Sequence, residues 1–204
     1  MHKKILVLNQ GNTPNLGDIA INDTIITYFK ERDYNIDFYP FWDEKIVFGN
    51  KYENYPKIVK WLLWHFEFFL DFFNKKNINK KIKNSSYDSI IIGGGELLSG
   101  HYGFNSSLLL WVNVANKKNI PVYLFGVSGD LEMPKHKLKR YMKVLKRCNK
   151  VFVRDSYTQK ICMSYYNINP IYIPDVVFGY NKIIKKSITT NKTKNTLLIV
   201  PIEY

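Results

Sequence analysis

Short apolar runs alternate with longer amphipathic stretches along the chain. Residues 4–8 (KILVL), 35–39 (NIDFY), 88–92 (DSIII), 121–125 (PVYLF), 150–154 (KVFVR) and 170–173 (PIYI) read as strands. The spans 17–32, 57–74, 104–118, 134–148 and 155–166 read as helices. The strand runs are nearly continuous and rich in β-branched residues, without the alternation of a sheet that has one wet face. Each is therefore expected to be buried on both faces. Strands and helices taking turns predict an α/β fold, a Rossmann-like parallel sheet wound right-handed with helices on both faces.

The pattern changes near the end of the chain. Residues 1–180 fit one such domain, 181–195 (NKIIKKSITTNKTKN) are polar and basic like a linker, and 196–204 (TLLIVPIEY) read as the opening strand of a second domain. One helical candidate is unusual. In Ile58–Phe73 (IVKWLLWHFEFFLDFF) the polar residues Lys60, Glu67 and Asp71 continue to Asn74 along one narrow stripe, and the rest is apolar. The segment reads either as a helix buried against the sheet or, with the basic run Lys75–Lys83, as an interfacial helix giving peripheral membrane contact through 57–83.

Composition narrows the classes. At 46% hydrophobic and 16% aromatic residues, the chain is not a disordered segment. The net charge of +13 invites a nucleic-acid partner, but 26 of the 30 basic residues are Lys and four are Arg. Base readout favours Arg forks, so no nucleic acid is expected. Cys148 and Cys162 lack metal or disulfide-scaffold spacing, and only four apolar residues precede Asn9, too few for a signal-peptide core. A cytoplasmic protein is expected. No two histidines have ligand spacing, so no metal is expected either; His65 reads as a packed helix residue, and His101 alone falls near the loops discussed next.

Ligands of parallel sheets sit beyond the carboxyl ends of the strands, and the unusual loops here all follow strands. After the first strand comes Asn9, then Gly11-Asn12-Thr13-Pro14-Asn15-Leu16-Gly17-Asp18. It matches neither GxGxxG nor a Walker loop. It reads either as a tight turn with Asp18 capping the next helix, or as a polar pocket lined by backbone N–H groups and Asn side chains, with Asp18 toward a sugar hydroxyl. After the third strand, Gly93-Gly94-Gly95-Glu96 either packs loop closely against loop, with Glu96 a cap-region acid, or brings backbone close to a ligand and feeds an anion-binding helix N-terminus. After the fourth come Gly126-Val127-Ser128-Gly129-Asp130, and after the fifth Arg154-Asp155-Ser156, where Asp155 or Ser156 would cap a helix. Arg154 would face an anion or pair with Asp155 or Asp175.

Taken in order, "GNTPNLGDIAI", "IIIGGGELL", "VYLFGVSGD", "VFVRDSYTQK" and "IPDVVF" resemble the polysaccharide pyruvyl transferase family over residues 4–178. The resemblance implies the N-terminal domain of a two-domain, GT-B-like enzyme. It also implies transfer of pyruvyl from phosphoenolpyruvate, as co-substrate and with no cofactor, to a sugar of a cell-surface polysaccharide or its lipid-linked precursor, forming a ketal. Asp18 is the implied base or acceptor-orienting group, and Arg154 and the Gly93–Gly95 amides the implied anion holders. Asn9, Gly11, Asn12, Gly17, Glu96, Ser128, Asp155, Ser156 and Asp175 are further candidate substrate contacts. The fourth loop departs from the family's GQGIGP-like pattern, and the family's second domain is expected to bring basic residues and a histidine acid. The chain is therefore expected to be truncated and inactive alone. A nucleotide-sugar glycosyltransferase and a non-catalytic glycan-binding remnant are the competing readings.

Overall fold

A computed structural model describes residues 3–43, 47, 54–65, 67–83 and 85–179. Six strands, β1 (Lys4–Asn9), β2 (Asn35–Pro40), β3 (Ser89–Leu98), β4 (Val122–Gly129), β5 (Lys150–Val153) and β6 (Ile171–Tyr172), form one sheet in the order β2-β1-β3-β4-β5-β6. Every pairing is parallel. The helices are α1 (Leu16–Lys30), α2 (Lys57–His65), α3 (Glu67–Lys83), α4 (Tyr102–Lys117), α5 (Lys135–Leu145) and α6 (Ser156–Ser164), with a 3-10 turn at Val176–Gly179. The expected Rossmann-like α/β architecture is the one observed.

The chain steps from β1 outward to β2, then returns across β1 and continues through β3 to β6. Right-handed crossovers in opposite directions put α1 on one face and α3–α6 on the other. The core divides accordingly. Leu6, Leu8, Ile90, Ile92, Val122 and Leu124 pack with Ile78, Ile82, Leu108, Trp111, Tyr141 and Ile161 from α3–α6. Ile5, Val7 and Ile91 pack with Ile21 and Ile25 of α1.

Three expectations are corrected. First, β3 and β4 are longer than their apolar runs suggest, because Gly93 and Gly95 keep their places in the ladder opposite Phe125 and Val127. The glycine run therefore lies inside a strand and feeds no helix N-terminus; α4 starts at Tyr102, after Leu98 ends β3. Pairing of β1 with β3 ends at Leu8 and Ile92, whereas β3 and β4 stay paired to Leu98 and Gly129, beyond their neighbours.

Second, helical structure in this span, described as α2 and α3, runs beyond the expected end at 74 and continues to Lys83. Third, α3 turns its polar stripe inward. Asn74 is buried and its Nδ2 donates to Ser107 Oγ at 3.1 Å, while Asp71 accepts from Ser106 Oγ at 2.6 Å and pairs with Arg140 at 2.8 Å. This polar seam against α4 and α5 leaves Trp61 53% and Phe72 59% exposed, contrary to burial of the segment against the sheet. The side chains of Trp64 and His65, the linker 181–195 and the strand 196–204 lie outside the described residues. Among the described residues, no helix is long and apolar enough to cross a membrane.

Candidate functional site

The carboxyl ends of the strands bring most of the candidates to one edge. Asn9 ends β1, 1% exposed; its Oδ1 accepts from Gly11 N at 2.9 Å and its carbonyl from Phe41 N at 2.8 Å. Among the described residues its Nδ2 has no partner, and neither do the buried Gln10 Oε1 and Asn22 Oδ1. Buried amides without partners are costly, about 1–3 kcal/mol each, so three near one loop mark a place where an external polar group would be stabilising. Gly11 lies tight against α1, since a Cβ there would sit 2.5 Å from Asn22 Cβ.

Helix α1 is capped by Asn15, which accepts from Gly17 N at 2.8 Å. Asp18 is therefore not the cap. It sits in the first turn, where the helix dipole favours an anion, and accepts from Thr13 Oγ1 at 3.0 Å. Asn12 donates to Asp43 at 3.1 Å. Gly94 and Gly95 carry the glycine run past α1 with φ of +72° and +84°, and a Cβ on Gly95 would sit 3.9 Å from Asp18 Oδ1. The loop after β1 and the glycines of β3 thus meet at Asp18.

Next along the edge, Glu96 of β3 is level with Ser128 of β4. The Glu96 carboxyl titrates above its ordinary range: its partial burial is the first cause, although the residue is exposed overall, and repulsion and hydrogen bonding by Asp130 come next. Arg154 pulls the other way. The Asp130 carboxylate beside Glu96 thus favours the protonated form of Glu96. Arg154, just past β5, donates through Nε to Ser128 Oγ at 3.1 Å and through Nη1 to Asp175 at 2.7 Å. Its pairing is with Asp175, and Nη2 has no hydrogen-bond partner among the described residues.

Three candidates sit at helix starts. Asp155 caps α6, accepting from Thr158 N at 2.6 Å and Thr158 Oγ1 at 3.0 Å, so both its oxygens are occupied. Ser156 is the exposed first residue of α6, and Gly17 serves the cap of α1. His101 precedes α4, where burial and then the Lys137 charge hold its pKa below the usual value. Asp130, Gln10 and Asn22 were not singled out from sequence. Asp130 carried a signal, an acid closing a Gly-Val-Ser-Gly strand end, whereas the amides of Gln10 and Asn22 carried none.

A hollow of about 630 Å³ opens elsewhere, between α3 and α4, lined by Lys75, Asn79, Asn113, Asn116, Lys117 and Arg147. It lies on the outer helical layer, away from the strand ends, and holds neither a carboxyl pair nor an orphaned amide. The strand edge, where the polar candidates converge, is the better candidate. Among the described residues, no three His, Cys, Asp or Glu side chains are grouped to hold a metal.

The parallel α/β sheet thus gathers neighbouring carboxyls, a guanidinium and polar amides along its carboxyl edge. The family model for polysaccharide pyruvyl transferase matches residues 15–203, and the chain belongs to that family. No curated protein matches it.

Proposed function

We propose that the strand edge binds phosphoenolpyruvate and a sugar diol and that the protein transfers pyruvyl between them as a ketal. A proton adds to the methylene carbon of the enol, leaving an oxocarbenium-like centre at the carbon that bears the phosphate. One sugar hydroxyl attacks that carbon, phosphate leaves, and the second hydroxyl closes the ring. Of the two hydroxyl protons, one replaces the proton given to carbon and one departs with the phosphate. The site must therefore hold a dianionic group and a carboxylate, and it must shuttle protons.

Arg154, steadied by Ser128 and Asp175, is our candidate for the anion, through a guanidinium edge that its protein partners leave open. Asp18 and Asn9 are our candidates for the acceptor hydroxyls, and the Glu96–Asp130 pair for moving protons between hydroxyl and leaving group. The observation that carries this reading is Arg154, held at a strand end by Ser128 and Asp175, with the carboxyls of Glu96 and Asp130 nearby. Family membership supports it.

Calorimetric titration with phosphoenolpyruvate tests it. Binding is expected, and Arg154→Lys should weaken it at least about tenfold, roughly 1.4 kcal/mol, because Lys keeps the charge but loses the fork. No binding, or equal binding by the variant, overturns the assignment. Binding of nucleotide sugars in place of phosphoenolpyruvate would make the protein a glycosyltransferase instead.

A further inference from the structure

We propose that the outer face of α2 and α3 docks the protein on an anionic membrane surface. A surface helix normally hides its apolar side and offers its polar side to water. The second half of α3 follows this, with Ile78 and Ile82 in the core, but α2 and the middle of α3 do not. Asp71 and Asn74 are spent inside, on Arg140, Ser106 and Ser107, and Ile58, Trp61, Leu62, Phe72 and Phe73 are exposed. Several large apolar side chains on adjoining helices form a patch that water does not favour.

Charge identifies what covers it. Residues 57–83 contain seven lysines against two acids, Glu67 and Asp71. Asp71 is already matched by Arg140, and Lys57, Lys75, Lys76, Lys80 and Lys83 are exposed around the aromatic residues. Aromatic and aliphatic side chains set among lysines fit the interfacial layer of a bilayer: rings enter at the headgroup level and ammonium groups reach the lipid phosphates. An acidic protein surface would satisfy the lysines but leave the apolar patch wet.

The placement is also useful. Asp71 meets Ser106 in the first turns of α4 and Arg140 in α5, and both helices set out from the carboxyl edge of the sheet. The amino-terminal end of α3 thus lies toward the carboxyl edge of the sheet, and Lys80–Lys83 toward the other end. On the pyruvyl-transfer reading, a docked bilayer would bring a lipid-linked acceptor to that edge. The docking itself does not depend on that reading.

Flotation with phosphatidylcholine vesicles, with and without phosphatidylglycerol, tests the proposal. The wild-type protein should float only with phosphatidylglycerol present and should be released by high salt. Trp61→Ser with Phe72→Ser should lower the partition coefficient at least about tenfold with the melting temperature unchanged, since both side chains are exposed. Lys75→Glu with Lys76→Glu should do the same. Absence of flotation, or flotation indifferent to both pairs of substitutions, overturns the proposal. So does a dimer in size exclusion that the Trp61/Phe72 variant dissociates, which would assign the face to a second copy. No phosphoenolpyruvate enters the assay, so its failure and the failure of the transfer reading are separable.

Discussion

Gly93, Gly94 and Gly95 should respond to alanine in three different ways. A Cβ on Gly93 would lie 2.5 Å from Ile25 Cδ1, the tip of a side chain that can swing, with ordinary backbone around it. The cost should be at the low end of overpacking, about 1 kcal/mol. Gly95, at φ +84°, meets nothing nearer than Asp18 at 3.9 Å, so only the left-handed backbone is penalised, by about 1–2 kcal/mol. Gly94 suffers both insults. Its φ is +72°, and its Cβ would overlap Cγ2 of Ile21, a β-branched residue whose χ1 is fixed by its helix. Strain and overpacking together come to about 2–5 kcal/mol. In a chain of this size each kcal/mol moves Tm by about 2–4 °C, so Gly94→Ala should melt about 10 °C low and Gly95→Ala about 4 °C low. Thermal circular dichroism reads the ranking, and Ile21→Ala should return part of the loss in Gly94→Ala because the two sites touch. Gly95→Ala should also weaken ligand binding beyond its small stability loss, because its methyl stands beside Asp18. A Gly94→Ala protein as stable as wild type would refute the close seating of α1 on β3 and, with it, the meeting of the two loops at Asp18.

Asp18→Asn should lower Tm by only about 2 °C, since Asn15 remains the cap and the lost charge is worth about 0.3–1 kcal/mol at a helix start. Binding of a sugar acceptor should weaken at least about tenfold, near 1.4 kcal/mol; unchanged binding would reduce the loop to a turn. For Glu96 the raised pKa means the folded state holds its proton more tightly than the unfolded chain. Its contribution is present below the unfolded value of 4.5 and is lost as pH rises through the higher folded value. Urea midpoints should therefore fall less with rising pH in Asp130→Asn than in wild type, and parallel profiles would dissolve the carboxyl pair.

The strands were legible as short runs rich in β-branched and aromatic residues between turn signals: those at 4–8 and 35–39 appear as β1 and β2 with a residue added to each, although only β1 is buried and β2, at the sheet edge, holds no buried residue. The glycine run was not, because glycine lacks the side chain on which strand patterns rest while its backbone still bonds Phe125 and Val127. The stripe on α3 misled for a related reason. Whether Asp71 and Asn74 meet water or a partner depends on Ser106, Ser107 and Arg140, at least 32 residues away in sequence. Of the site, Arg154 with Asp175 and the Asp155 cap were foreseen among alternatives. The carboxyl pair and the orphaned amides needed three dimensions, since their significance lies in neighbours rather than identities.

The prolongation of β3 and β4 past Ile92 and Val127 makes the carboxyl edge a crest rather than a shelf. On one slope lie Asn9 and Asp18, on the other Arg154 and Asp175, and Glu96 and Ser128 stand level along the top. Two molecules lodged on opposite slopes come into contact only over that summit. The height of the crest thereby sets their separation, and adding or removing one pleat of the paired strands would alter the reach between them while leaving each slope chemically intact.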